Sequence, residues 1–394
     1  MKRLHLTILV IFLIFIGKSL MAEEIKDVID SVQKKVAPDK RVAVFNVNYE
    51  LREDKLIIEG ELSSEEFHKE LIQILKEKFN YEIVDRTEIL PSKKLGTKVY
   101  GIVNLSVCNI RSAPEHSAEL STQALLGTPI KVLKEKNGWY LIQTPDFYIG
   151  WVDDDGIYLV DSAGMGSWNK AQKIIYQNIF GFVYSDVEKN QIISDIVAGG
   201  ILKLKNKINN FYEVEFSDGR KGFIPYEFAK PFNEWLKSLK FDSKEIISFA
   251  EKMIGFPYLW GGTSIKGVDC SGFIKTIYFF NGMILPRDAS QQVEVGHEIP
   301  FENDFTDLQP GDLIFFGRKK SETFPEKITH VGMYLGDKKF IHSSGKVRID
   351  SFDENDPNFN EFRLRTIVKV KRILDDKNLI EKLKIVNNPF YNLP

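Results

Sequence analysis

The sequence predicts a multidomain chain: a small N-terminal α/β unit, two small β-barrels in tandem and a C-terminal α+β domain. Residues 24–95 mix short extended runs with one amphipathic helical pattern. Residues 97–230 repeat themselves at a constant offset. Residues 240–375 pass from helical periodicity to a block of strand-like runs. A length of 394 residues suits several domains. Lys+Arg 53 against Asp+Glu 55 leaves a net charge of −2, which offers no electrostatic ground for binding nucleic acid. Two cysteines exclude a disulfide framework.

The first element is a leader. Lys2 and Arg3 precede an apolar run from Ile8 to Ile16, and Ala22 stands before acidic Glu23 and Glu24. This reads as a signal peptide over residues 1–22. The run is shorter than the ~20 residues a spanning helix needs, and no later stretch could span a bilayer. The expectation is an exported chain, periplasmic or extracellular, with no stable membrane insertion after cleavage.

Residues 23–96 follow as a small α/β domain. Extended runs begin near Val42 and at Leu56, Ser63-Ser64-Glu65-Glu66 starts a helix, and Tyr81–Val84 reads as a third strand. No chemistry is visible there, and the domain is assigned no role.

The repeat comes next, with copies at 97–162 and 163–232. Gly127 matches Gly199, Trp139-Tyr140 matches Phe211-Tyr212, and Gly150-Trp151-Val152 matches Gly222-Phe223-Ile224. Short apolar runs between polar turns suggest a small barrel in each copy. Through Asn109–Pro114, Leu126–Pro129 and Gly150-Trp151-Val152, the first copy resembles bacterial SH3-like domains. The second is diverged, with Phe182-Val183 where Ile110-Arg111 would stand. Their aromatics suit either a core or a binding platform. Cys108 lies on a strand-like run of the first copy and reads as core; neither it nor Cys270 is expected to be bridged.

The last domain spans 240–375, with a tail over 376–394. Ser243 reads as the cap of a helix with apolar face Ile246, Phe249, Ala250, Met253 and Ile254, ended by Gly255. A second helical pattern runs from Cys270 to Asn281. Strand-like runs follow at Asp312–Phe316, His330–Leu335, Phe340–Ser343 and Thr366–Lys371.

Cys270 would sit in the first turn of its helix, where partial positive charge favours a thiolate. His330 and His342 flank the turn signal Gly336-Asp337. If both point to one face, His342 can orient His330, and His330 can take the Cys270 proton. One residue of slip would reverse that face. Two alternatives stay open: a structural thiol with satisfied histidines, and a metal site of the three residues. The close ligand pairs usual for zinc are missing, and no metal or cofactor is expected. The Gly261–Gly267 loop lacks the order of a phosphate loop and is expected to let backbone pass close to substrate.

In order, the chain carries Phe256-Pro257-Tyr258-Leu259-Trp260-Gly261-Gly262, Asp269-Cys270-Ser271-Gly272-Phe273, Leu285–Gln292, Gln309–Leu313 and His330–Gly336. These closely resemble the NlpC-type cell-wall cysteine peptidases. The preceding SH3-like pair extends the likeness to the subgroup that cuts γ-D-glutamyl-L-diamino acid bonds in peptidoglycan stem peptides.

The resemblance implies a papain-like α+β fold, with Cys270 as nucleophile, His330 as base and His342 as orienter. It implies an oxyanion held by the Cys270 amide and the Tyr258 hydroxyl. Asp269 is expected to bind the free amine of the N-terminal L-Ala, aided by Glu119 or Glu115, with Tyr148 or Trp151 as the adjoining wall. Ser290 would support substrate backbone contacts, and Ser271 and Trp260 complete the substrate-binding set. Partners would be stem peptides or muropeptides, the protein would be a monomer, and muramyl-capped peptides would be excluded. The competing expectations are a wall-binding protein with a degenerate catalytic domain, and a thiol amidase or transferase acting on another amide.

Overall fold

The computed structural model describes residues 20–301 and 305–393, so the expected signal segment lies mostly outside the described residues. The chain divides into two compact units between Gly96 and Thr97. No helix among the described residues is long and apolar enough to cross a membrane.

The first unit opens with a helix, α1, over residues 20–36. Ile25, Val28, Ile29 and Val32 lie along one face of it at helical spacing and are buried. The sequence reading missed this helix because its start coincides with the end of the leader pattern. Strands β1 (Phe45–Arg52) and β2 (Lys55–Leu62) pair antiparallel. Helix α2 (Glu65–Lys78) crosses over to β3 (Glu82–Ile89), which pairs parallel with β2. Ser64 caps α2, with acids in its first turn and lysines in its last, as the helix dipole favours. Leu71 and Leu75 of α2 join Leu56, Ile58 and Leu62 in the core of this unit.

The second unit begins with β4 (Tyr100–Val103), β5 (Val107–Arg111), β6 (Leu120–Leu125), β7 (Pro129–Lys136), β8 (Trp139–Gln143), β9 (Ile149–Asp153) and β10 (Ile157–Val160). They form one seven-stranded sheet in the order β10-β4-β7-β8-β9-β5-β6. Helix α3 (Ser162–Lys170) leads to β11 (Lys173–Tyr176), β12 (Phe180–Tyr184), β13 (Ile192–Val197), β14 (Ile201–Ile208), β15 (Phe211–Glu215), β16 (Lys221–Pro225) and β17 (Ala229–Pro231). Their order is β13-β12-β16-β15-β14-β11-β17, which is the first sheet strand for strand. The registers repeat as well. Tyr140 pairs with Val152 as Tyr212 pairs with Ile224. A bulge between Val132 and Lys134 recurs between Leu204 and Asn206.

After α4 (Phe232–Ser238) comes the α+β domain, with α5 (Ser243–Glu251), the short strands β18 (Thr263–Ser264) and β19 (Gly267–Val268), α6 (Cys270–Phe280) and α7 (Ala289–Gln292). Then follow β20 (His297–Ile299), β21 (Leu313–Arg318), β22 (Lys327–Gly336), β23 (Lys339–Ser344), β24 (Lys346–Ser351), α8 (Glu361–Arg365), β25 (Ile367–Arg372) and α9 (Lys377–Leu383). The sheet order is β20-β25-β21-β22-β23-β24. Phe273, Ile274 and Ile277 of α6 pack with Val331, Met333 and Ile341 of the sheet. Asp242, not Ser243, caps α5, because its carboxylate reaches the Glu245 amide. Ile254 lies beyond the end of α5 and is exposed.

Candidate active site

Helix α6 starts at the thiol. Asp269 is its N-cap, accepting from the Gly272 amide at 2.7 Å, and Cys270 is its first residue, 9% exposed. Burial pushes the Cys270 thiol up to about 11, and the Asp269 carboxylate adds to this. The backbone amides of Val331 and Ser271 pull the other way.

The two histidines share a face because of a bulge. Asp337 and Lys338 both have positive φ, as a tight two-residue hairpin turn requires, and Gly336 pairs with Lys339. Continued without interruption, that register would set His342 opposite Met333, on the wrong face. Instead it slips by one residue, so Tyr334 pairs with Phe340 and Met333 with Ile341. Gly336, at φ +99°, takes up the slip. His342 then stands opposite Gly332, where a Cβ would come within 3.2 Å of its own. The histidines are thus diagonal rather than opposite, and His330 Nε2 lies 2.8 Å from His342 Nδ1. Phe316 and Phe340 pack against the two rings.

A residue the sequence reading missed ends the row. Asp350 on β24 lies 3.0 Å from His342 Nε2 and also accepts from Asn360 and Arg348. Burial works to raise this carboxyl, but the hydrogen bonds from His342 and Asn360 win and hold it well below its ordinary range. An ionised Asp350 can only accept, so the His342 proton belongs on Nε2. His342 Nδ1 must then accept from His330 Nε2–H, which leaves the lone pair on His330 Nδ1. Burial, with Arg363 and His342 nearby, holds His330 well below its ordinary 6.5. Both shifts favour the neutral thiol and the neutral imidazole.

Asp269 lies inside the wall of the site. It is 6% exposed, and Arg287, 1% exposed, grips both of its oxygens at 2.5 and 3.1 Å. The Gly261 amide adds a bond at 2.9 Å. Ser271 is buried beneath the same arginine, its hydroxyl 3.0 Å from the guanidinium. Gly261, at φ +79°, has room for no side chain, since a Cβ would lie 2.1 Å from the Leu120 carbonyl oxygen. The close approach made by this loop is therefore to β6 of the first sheet. Next to it, exposed Trp260 donates to Glu119 at 2.6 Å. Tyr258 is half-buried; its hydroxyl is pushed up to about 12 by burial and by Cys270, so it is a donor at neutral pH.

Tyr148 reaches from the first sheet to Asp288, donating to its carboxylate at 3.2 Å. Its loop is held from two sides. Asp146 pairs with Lys275 of α6 at 2.7 Å. The segment after α9 supplies Asn388, which donates to the Pro145 carbonyl at 2.8 Å, and buried Phe390, whose ring lies 5.7 Å from Phe147. Trp151 lies beneath Lys134 of its own sheet, while Glu115 and Ser290 are exposed. Cys108 and Cys270 are both unbridged. Arg287, Asp350, Asn360 and Arg363 carried no signal of their own in the sequence.

Two family patterns match this chain. The NlpC/P60 family covers residues 255–364, and the bacterial dipeptidyl-peptidase SH3 domain covers residues 110–157. A gamma-D-glutamyl-L-lysine dipeptidyl-peptidase of Bacillus subtilis (strain 168) is 30% identical over 232 residues, 57% of this chain and 72% of that protein. The chain belongs to the NlpC/P60 family. Dipeptidyl-peptidase 6 of Lysinibacillus sphaericus is 28% identical over 279 residues, 68% of this chain and 97% of that protein. The crystal structure of an NlpC/P60 family protein from Bacillus cereus ATCC 10987 shares the fold, with a TM-score of 0.58 at 22% identity over 70% of this chain and 99% of that one. As an NlpC/P60 member the chain is a cysteine endopeptidase of the peptidoglycan hydrolases.

Proposed function

We propose that this NlpC/P60 protein is exported and hydrolyses the γ-D-glutamyl-L-diamino acid bond of peptidoglycan stem peptides that begin with a free L-Ala. The reading is carried by the row Asp350–His342–His330 beside a buried thiol at a helix head, in a chain with dipeptidyl-peptidase relatives.

The Cys270 proton passes to His330 Nδ1 as the sulfur attacks the γ-carbonyl of D-Glu. Burial disfavours both charged forms, so transfer accompanies attack and does not precede it. The oxyanion is met by the Cys270 amide at the helix head and by the protonated Tyr258 hydroxyl. His330 then gives its proton to the departing amine, and water attacks the thioester, again with His330 as base. His342 and Asp350 keep the ring in the tautomer this cycle needs.

The amine of L-Ala requires a carboxylate at the groove end. Both oxygens of Asp269 are taken up by Arg287 and backbone amides. In this reading the ammonium is met by Asp288 beside Tyr148, with Glu119 across the loop, and Asp269 acts through Arg287. A muramyl cap would remove the ammonium and collide with this wall.

The test incubates wild type and Cys270→Ala with L-Ala-γ-D-Glu-L-Lys and its diaminopimelate counterpart, each free and muramyl-capped, and reads products by mass spectrometry. Release of L-Ala-γ-D-Glu from free-amine peptides alone, by wild type alone, is expected. Equal cleavage of capped peptides would remove the amine pocket, and no cleavage of any would remove the substrate class.

A further inference from the structure

A second arginine acts on the thiol and, among the described residues, makes no direct ion pair of its own. Arg363 lies in α8, whose cap Asn360 accepts from the Arg363 amide at 3.0 Å and donates to Asp350 at 2.6 Å. The guanidinium lies over the Phe316 ring, 5.4 Å from its centre, and that ring is 5.6 Å from the His330 ring. The side chain is half-buried, and no carboxylate among the described residues pairs with it. A half-buried cation without a direct ion pair leaves its hydrogen-bonding fork open to a ligand carboxylate.

Its location separates it from Arg287. The charged and phenolic groups around Arg287 are Asp269, Asp288 and Tyr148, on the side of the first sheet. Those around Arg363 are Asp350 and Arg348, with His330 and His342. Cys270 and Tyr258 feel both arginines. Arg287 is thus bonded at the α6 cap, near Asp288 and Tyr148, whereas Arg363 lies over Phe316 beside His330. If the acyl half, L-Ala-γ-D-Glu, lies toward Tyr148 and Asp288, the departing half lies toward Arg363.

We propose that Arg363 binds a carboxylate of the departing diamino acid; this rests on the peptidase reading above. A guanidinium presents a planar fork that matches a carboxylate. Two sources share that chemistry: the α-carboxylate of a C-terminal diamino acid, and the distal carboxylate of diaminopimelate. The site would favour cut, free-ended peptides in the first case and diaminopimelate walls in the second.

The experiment uses the full chain as wild type, Arg363→Met and Arg363→Lys. Substrates are L-Ala-γ-D-Glu-L-Lys, its C-terminal amide, and the diaminopimelate tripeptide with only its α-carboxyl amidated. Each variant's folding is checked by thermal unfolding. Wild type should favour at least one carboxylate-bearing peptide over the fully amidated one by roughly tenfold in kcat/KM, the value of one charge-assisted contact. Arg363→Met should erase that preference and Arg363→Lys keep part of it. Preference confined to the Lys free acid assigns the α-carboxylate; preference for the diaminopimelate amide assigns the distal one. Equal ratios in wild type and Arg363→Met would overturn the proposal, as would a uniform loss on all three peptides. Wild type inactive on all three would overturn the peptidase reading, and this proposal with it.

Discussion

Arg287 and Arg363 both act on one thiol and are held in opposite ways. Arg287 is sealed in, its charge answered by Asp269 through two hydrogen bonds. It braces the α6 cap, the Gly261 loop and Ser271. Arg363 is half-buried, rests on an aromatic ring and has no carboxylate partner among the described residues. One cation is spent on structure and the other is available to a ligand. Charge near an active centre does not by itself mark recognition; the state of its partner does.

The comparison can be broken at its centre first. Cys270→Ala should lower hydrolysis of a free-amine peptide by about 10⁴-fold or more, as loss of a nucleophile does, with both arginines untouched. Product formation by mass spectrometry measures this, and residual turnover near wild type would mean another nucleophile.

The two sides should then separate in stability. Arg287→Met strands a buried Asp269 carboxylate and should cost about 3–5 kcal/mol in urea unfolding. Arg363→Met strands nothing and should stay within ~0.5 kcal/mol of wild type. Equal losses would erase the distinction.

Asp350→Asn tests the histidine side alone. An amide can donate to His342 as well as accept, so the imposed tautomer is lost. The expected fall in kcat is about 100-fold, in the range of a lost general base, with KM nearly unchanged.

Acidity gives a smaller effect. In the proposed mechanism His330 acts as a base only when neutral, and burial, Arg363, His342 and Arg348 lower its pKa while Asp350 raises it. The acid limb of kcat/KM should therefore lie below pH 6.5 and move upward in Arg363→Met. A limb that stays in place would show that the arginine's field does not reach the ring.

Much of the candidate site was legible in the sequence because it depends on local patterns. A thiol before an apolar helical run predicts a helix head, and α6 begins at Cys270. The repeat predicted a duplicated β element, and the two sheets share one strand order. What stayed hidden depends on register and partners. The shared histidine face hangs on a one-residue slip between Tyr334 and Gly336, which no hydropathy pattern records. Lys346, Arg348 and Asp350 alternate like a solvated strand face, yet Asp350 is 6% exposed beside His342. The resemblance assigned Asp269 to the substrate amine; its contacts with Arg287, eighteen residues on, show both of its oxygens already engaged.

The segment beyond α9 lies under the Tyr148 loop, through Asn388 and Phe390, and Leu393 accepts from Asn169. Those residues follow every other part of the second unit in chain order. During synthesis Cys270, His330 and His342 emerge before the support for the Tyr148 loop exists. If the proposed roles hold, a chain cut short before Asn388 would keep Cys270, His330 and His342 while losing the support beneath the Tyr148 loop, so truncation should cost discrimination between substrates before it costs chemistry.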